Sequence, residues 1–262
     1  MSGSARGWVV VLGASSGMGA AISRAFAAAG HPIFGVHLDR AATAPAADAV
    51  LAGLQAQVPA VFHNRNAADD ATREALADDL ASRAGPAGVA VLVHSLAFGT
   101  LTPLLPAGGA RGASRAQLDM TMDVMAHSLV YWSQALVRRG LLGRGGRIFA
   151  LTSSGSRRAL PSYGPVSAAK AALEAHVRQL ALELAPQGVA VNAVMAGVTD
   201  TPALRKIPGH PALLERAAAR NPHGRTTRPE DVGAAVVALS APALAWMTGN
   251  VIRVDGGEDA CA

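Results

Sequence analysis

Short runs of consecutive apolar residues alternate along the chain with longer stretches whose apolar positions recur every three or four residues. The runs at 8–12, 33–38, 60–63, 89–95, 147–152, 189–195 and 251–254 have strand length and are rich in β-branched residues. Continuous apolarity, rather than alternation, marks strands covered on both faces, as in a parallel sheet. The helical pattern holds over 20–29, 46–57, 68–83, 163–184 and 229–240, and over one long helix ending at about Arg138. Gly30 and Pro32 stop the first helix, and Asp69 and Asp70 open another where its dipole favours acids. Strand–helix alternation predicts an α/β fold: a single Rossmann-like, doubly wound parallel sheet with helices on both faces, spanning 1–262. Two stretches interrupt it. One is a Pro/Gly-rich loop at 101–111, and the other runs over 197–229 with a short helix at 212–220. The second is expected to form a lid over about 198–228.

Composition narrows the class. A chain of 262 residues, 50% hydrophobic and 16% charged, buries enough surface to fold without disulfide or metal staples, and it is not a disordered tail. The one cysteine, Cys261, favours a reducing compartment, and the expected location is cytoplasmic. Residues 1–7 lack a signal-peptide layout and the run at 8–12 is too short to span a bilayer, so no membrane association is expected. The net charge of +5 invites a nucleic-acid reading, but the basic residues are scattered and aromatic residues make up only 4%. Without stacking platforms or a basic stripe, nucleic acid is not an expected partner. Arg138, Arg139, Arg144, Arg147, Arg157 and Arg158 could meet coenzyme A phosphates or an acidic carrier protein, although a plain solvated basic face explains them more simply. No His, Cys, Asp or Glu set has metal-ligand spacing, so no metal is expected.

Candidate chemistry begins after the first strand. Gly13, Ser15, Ser16, Gly17, Met18 and Gly19 form a loop that leads directly into a helix. Glycines there let backbone amides approach a pyrophosphate at the helix N-terminus, which is a dinucleotide-binding arrangement. Tyr163 and Lys170 share the helix after strand five, and Ser153 ends that strand. Lysine occurs only at 170 and 206 in a chain that otherwise uses arginine. A compact ammonium beside a phenol would lower its pKa from about 10, and guanidinium is a poor substitute for that point charge.

The glycine spacing, Tyr163 with Lys170, Ser153, the segment Gly197-Val198-Thr199-Asp200-Thr201 and the closing Asp255-Gly256-Gly257 together resemble the short-chain dehydrogenase/reductase family over essentially the whole length. The resemblance implies an NAD(P)-dependent oxidoreductase. It places Tyr163, Lys170 and Ser153 at the catalytic centre, and gives Lys170 a second role on the nicotinamide ribose. Around the cofactor it places the glycine loop, Asn66, Ser95, Leu96, Ala97, Gly197, Val198, Thr199 and Thr201. It also implies a homotetramer or homodimer built through the two long helices.

Three departures from the common family pattern indicate the reaction. Six residues separate Tyr163 from Lys170 where three are usual, and Val166 holds the usual tyrosine position. Three residues along a helix move a hydroxyl by about 4.5 Å on roughly the same face. That suits charge developing on a thioester oxygen while hydride goes to the β-carbon of an alkene. After strand four the usual Asn-Asn-Ala-Gly is His94-Ser95-Leu96-Ala97, followed by Phe98. Met125 stands where many members carry a proton-relay asparagine. The string from His94 and the tyrosine spacing resemble enoyl-acyl-carrier-protein reductases, of a divergent type that keeps the ordinary glycine loop and a serine at Ser153. The expected activity is therefore NAD(P)H-dependent reduction of an enoyl thioester carried on acyl carrier protein or coenzyme A. Ser153 keeps ketoreduction or alcohol oxidation open, and a non-catalytic nucleotide sensor is a third reading. His94, His127 and His176 read as packing or interface residues. Asp39 favours NADH and Arg40 favours NADPH, with a lean toward NADPH for a biosynthetic reductase.

Overall fold

A computed structural model of the chain describes residues 6–106, 108–109 and 111–261. Most of the segment read for a leader, 1–5, and positions 107 and 110 of the Pro/Gly loop lie outside the described residues. Among the described residues seven strands form one sheet: β1 (Trp8–Leu12), β2 (Ile33–His37), β3 (Ala60–Asn64), β4 (Val89–His94), β5 (Arg147–Thr152), β6 (Ala190–Ala196) and β7 (Val251–Val254). The order is β3-β2-β1-β4-β5-β6-β7 and every pairing is parallel. The helices are α1 (Gly17–Ala28), α2 (Ala44–Gln55), α3 (Asp70–Ala84), α4 (Arg115–Met122), α5 (Ser128–Arg138), α6 (Gly164–Leu184), α7 (His210–Arg220) and α8 (Pro229–Leu239). The strand runs read from the chain fall within about a residue of these bounds.

The doubly apolar strands feed two cores. Val10, Leu12, Phe34, Leu92, Ile148 and Val191 pack with α3, α5 and α6 on one face. Val9, Val11, Ile33, Val91, Phe149 and Val194 pack with α1, α2 and α8 on the other. Alternate side chains of each strand thus enter opposite cores, which is why the runs show no polar alternation. The chain reverses its direction of travel between β1 and β4. Leu12 lies level with Val36 on one side and His94 on the other, so the crevice at the topological switch point opens above them.

One element differs from its expected form. The long helix ending at Arg138 is interrupted by a π-helical turn at Asp123–His127, which separates α4 from α5. Such single wide turns concentrate at functional sites, and this one carries the buried Met125. Among the described residues no helix is long and apolar enough to cross a membrane, and no group of His, Cys, Asp and Glu is placed to hold a metal.

Trp132 on α5 is fully buried and donates its indole N–H to the Ala67 carbonyl at 2.8 Å. It supports from below the turn that presents Asn66, whose own Oδ1 accepts from Ala68 N–H at 3.0 Å. Trp132→Phe keeps most of the apolar bulk and strands that carbonyl. The expected cost is about 1–3 kcal/mol, read as a lowered urea midpoint with an unchanged slope.

Candidate active site

The glycine loop meets both neighbouring loops at the switch point. A methyl group on Gly13 would stand 2.6 Å from the Ser95 carbonyl oxygen, and one on Gly19 would overlap the Gly13 carbonyl. Ser95 and Leu96 therefore wall the loop on the β4 side, with Ala97 following them in the chain. On the other side Thr201 overhangs it, with its methyl carbon 3.3 Å from where a Gly17 side chain would begin. Ser16 caps α1 with extended backbone and without a side-chain hydrogen bond, and no acid occupies the first turn. The free amides and dipole of α1 thus face a trough suited to a diphosphate. This combination fits a dinucleotide: a cradle that side chains would fill, and unsatisfied donors at its floor.

At the end of β2, Asp39 reaches back toward this loop. Its Oδ2 pairs with His37 Nδ1 at 2.8 Å, and its backbone N–H and carbonyl are held by the Asn64 amide at 2.9 and 3.0 Å. Burial alone would raise its pKa, but hydrogen bonding from Ser15, Thr43 and His37 outweighs it and holds the carboxyl below the ordinary range. Ser15 of the glycine loop and Asp39 thus form one corner. Arg40 is exposed beside it, and Asn66 is exposed beyond the end of β3.

Ser153, Tyr163 and Lys170 converge at the ends of β5 and α6. Tyr163 caps α6 rather than lying within it. Its hydroxyl stands 3.5 Å from Ser153 Oγ, at the long end of hydrogen bonding. Its ring lies over Gly155, where a methyl group would come within 2.5 Å of the ring edge. The preceding Ser162 has φ +60°, a conformation rare outside glycine; it is the one such non-glycine residue among those described. Left-handed backbone at Ser162 and the missing side chain at Gly155 set the ring's direction. Lys170 is buried and donates from Nζ to the Leu151 carbonyl at 2.7 Å. Desolvation lowers its pKa to about 8, against the opposing pull of Glu174 one turn along. Glu174 is itself buried and accepts from Thr152 Oγ1 at 2.7 Å. The expected lowering of the tyrosine pKa is not found. Burial pushes the Tyr163 hydroxyl up, offset only in part by Ser153, because the ammonium is directed at Leu151.

His94 is fully buried, with Nε2 2.8 Å from Ser128 Oγ. Desolvation, and then the Lys170 charge, lower its pKa to about 3, so it is a neutral packing residue, as read. Met125 and Val166 both crowd Gly99, where a methyl group would meet the thioether sulfur at 2.6 Å and a valine methyl at 2.9 Å. His127 and His176 lie 3.0 Å apart, ring nitrogen to ring nitrogen, away from this centre.

The loop after β6 forms the remaining wall. Val198 donates its N–H to Glu258 at 2.8 Å, Thr199 Oγ1 donates to the Gly197 carbonyl at 2.9 Å, and Thr201 Oγ1 accepts from Leu204 N–H at 3.2 Å. Five of the six possible anion-binding arginines are engaged by the protein itself. Arg138 and Arg139 pair with Glu74 and Asp78, Arg147 is buried against the carbonyls of Gly145 and Gly146, and Arg157 and Arg158 pair with Asp259. Glu174, Glu258, Gly155 and Ser162 escaped sequence reading. The four-residue interval from Lys170 to Glu174 was the one available signal.

A family model described as enoyl-(acyl carrier protein) reductase matches residues 13–258. The NADH-dependent enoyl-[acyl-carrier-protein] reductase FabI of Aquifex aeolicus (strain VF5) is 35% identical over 167 residues, 64% of this chain and 61% of that protein. The alignment therefore spans less than two thirds of that relative's length. Galactitol 2-dehydrogenase (L-tagatose-forming) of Cereibacter sphaeroides is 32% identical over 250 residues, 94% of this chain and 92% of that one. The crystal structure of a short chain dehydrogenase from Burkholderia cenocepacia J2315 in complex with NADP superposes with a TM-score of 0.84 at 28% identity, covering 97% of this chain and 98% of that one. With the glycine loop, the tyrosine–lysine pair and the seven-stranded sheet in place, the chain belongs to the short-chain dehydrogenase/reductase family and resembles its enoyl-acyl-carrier-protein reductases.

Proposed function

We propose that the protein is a nicotinamide-dependent reductase of enoyl thioesters, carried on acyl carrier protein or coenzyme A. The observation that carries this reading is the place of the tyrosine. Its hydroxyl comes from the cap of α6, one turn before the usual position, and that usual position is Val166, buried in the core. An acid displaced along the helix suits a reaction in which hydride arrives at one carbon and charge gathers on an oxygen three bonds away. Exposed apolar side chains front the site. Phe98, Leu104 and Leu105 are each more than half exposed, and Leu104 lies against Gly164 beside Tyr163. They would receive an acyl chain.

When bound, the dinucleotide supplies the hydride. Gly13 to Gly19 would hold its diphosphate, and Ser95, Leu96, Ala97, Gly197, Val198, Thr199 and Thr201 would shape the nicotinamide end. Asn66 would contact the adenine. Asp39, kept ionised and turned toward Ser15, would bind ribose hydroxyls and repel a 2′-phosphate. This geometry favours NADH over the NADPH expected from the sequence. Tyr163 would hydrogen-bond the thioester oxygen as the enolate forms. Lys170 would hold the nicotinamide ribose and place a positive charge nearby, with Ser153 beside the tyrosine. The segment 198–228 would act as the lid of a single reductase domain, closing over the acyl chain. The half-buried faces of α5 and α6 would form the contact of a homodimer or homotetramer.

The Ser153–Tyr163 contact favours a second reading, reduction of a carbonyl. Crotonyl-CoA and acetoacetyl-CoA offered side by side, each with NADH and with NADPH, separate the two. Oxidation of NADH by crotonyl-CoA is expected, and turnover of the ketoester alone overturns the enoyl reading. Tyr163→Phe is expected to lower kcat by about 10²-fold or more, with nucleotide affinity within about twofold of the parent.

A pH profile tests the lysine. With its pKa lowered to about 8, Lys170 keeps its charge below that pH and loses it above. Because the charged form is the one required, kcat/KM for the nucleotide is expected to fall through about pH 8 as pH rises. A profile flat to pH 9.5 would exclude this role.

A further inference from the structure

The chemistry above leaves unused a turn after β7 that carries several acids. Asp255 closes this turn by accepting from Gly257 N–H at 2.9 Å and Asp259 N–H at 3.0 Å. Its carbonyl accepts from the Asn221 side chain at 2.8 Å, just beyond the end of α7. Asp259 faces Arg157, Arg158 and Arg253 at 3.5, 2.6 and 3.3 Å, and the first two lie on the segment between Ser153 and Tyr163.

Glu258 lies at the centre, with a side chain only 4% exposed. One carboxylate oxygen accepts from Val198 N–H at 2.8 Å and the other from Arg220 Nη2 at 2.8 Å. Val198 belongs to the loop after β6, and Arg220 is the last residue of α7. No hydrogen bond among the described residues joins 197–199 directly to 220–223; the connection runs through this carboxylate. The fit is close. A methyl group on Gly197 would come 2.8 Å from Glu258 Oε2 and would overlap the Thr227 hydroxyl. A carboxylate with charged or backbone donors on both oxygens is a rigid bridge, because each bond is charge-assisted and desolvated.

We propose that Glu258 is a positioning residue for the nicotinamide end of the cofactor. It holds the loop 197–199 at a fixed distance from the foot of the lid helix, so that loss of the carboxylate loosens the nicotinamide wall and leaves the adenosine half intact. The proposal rests on the nucleotide-binding reading, and its test separates the two. Affinities for NADH and for ADP-ribose, which lacks nicotinamide, are measured by calorimetry for the parent, Glu258→Ala and Glu258→Gln. The Ala variant removes both bonds; the Gln variant keeps an acceptor for Val198 and preserves shape should the Ala variant not fold. Expected is a rise in the NADH Kd of about tenfold for Ala, in which both bonds to the carboxylate are lost, and a smaller rise for Gln. ADP-ribose is expected to stay within about twofold of the parent for both. Equal weakening of both ligands would show a general structural role and overturn the proposal, as would an unchanged NADH affinity in the variants. A parent that binds neither ligand overturns the nucleotide reading, and the proposal with it.

Discussion

Lys170 brings an ammonium group into a buried position, and its neighbours are arranged around that charge. Burying such an ion costs several kcal/mol unless the interior answers it. Here the Leu151 carbonyl takes a hydrogen bond and Glu174 supplies opposite charge one helical turn away, with Thr152 fixing the carboxylate. The compensation is partial, since the lysine still titrates near 8. The same charge bears on its surroundings. His94, on the same face of the sheet, is kept neutral first by its own burial and then by that charge. Ser128 gives its hydrogen to the Val124 carbonyl in the π turn, so the histidine is the donor in their pair. The wide turn of the long helix, the neutral histidine and the buried acid thus belong to one electrostatic arrangement.

That arrangement also separates what the chain shows in one dimension from what it does not. Strand runs and glycine stops depend on local chemistry and on the period of burial, so β1 to β7 and most helix bounds were legible to within a residue or two. Tyr163, Lys170, Ser153 and the loop from Gly13 to Gly19 were legible as candidates because their types and intervals are unusual in an arginine-biased chain. Direction in space was not. An ammonium seven residues from a phenol was expected to lower the phenol's pKa, yet it points to Leu151 and the phenol rises. The arginines between 138 and 158 lie near one another in sequence, but Arg138 and Arg139 pair with acids of α3, Arg157 and Arg158 with Asp259, and Arg147 turns to backbone carbonyls. Glu258 resembles any polar residue near a C-terminus, because its partners Val198 and Arg220 are 60 and 38 positions away.

On the enoyl reading, the placement of the tyrosine means that backbone rather than residue type chooses the reaction. Val166 cannot yield its place to a hydroxyl without disturbing Gly99, Met125 and the core around α6. The phenol instead extends from the residue that caps the helix. There the backbone is steered by left-handed Ser162, a conformation that L residues hold only when their surroundings fix it. A cap residue sits farther toward the mouth of the crevice than a residue one turn inside. Exposed Leu104 lies against Gly164 beside the tyrosine, and Phe98 and Leu105 are exposed apolar residues of the flanking loop. On the enoyl reading, acid and acyl-binding surface therefore lie on the same side of the hydride acceptor, as a thioester conjugated through its alkene requires.

The segment proposed as a lid has little of its own to hold it. Of the residues of α7, only Ala217 is buried, while Leu213 and Leu214 are half-covered. A helix with so small a core opens at low free energy unless something else is placed beneath it. Its firm attachments are at its ends: Thr201 over Gly17 on one side, and Arg220 with Asn221 on the C-terminal turn on the other. Held ends and a sparsely buried helix between them suit a cover that a substrate would complete. On the proposed reading, an acyl chain lying between Leu104 and the α7 leucines supplies the apolar surface that the lid lacks. Closure then follows from the same burial that holds the sheet together, extended to a molecule that is not part of the chain.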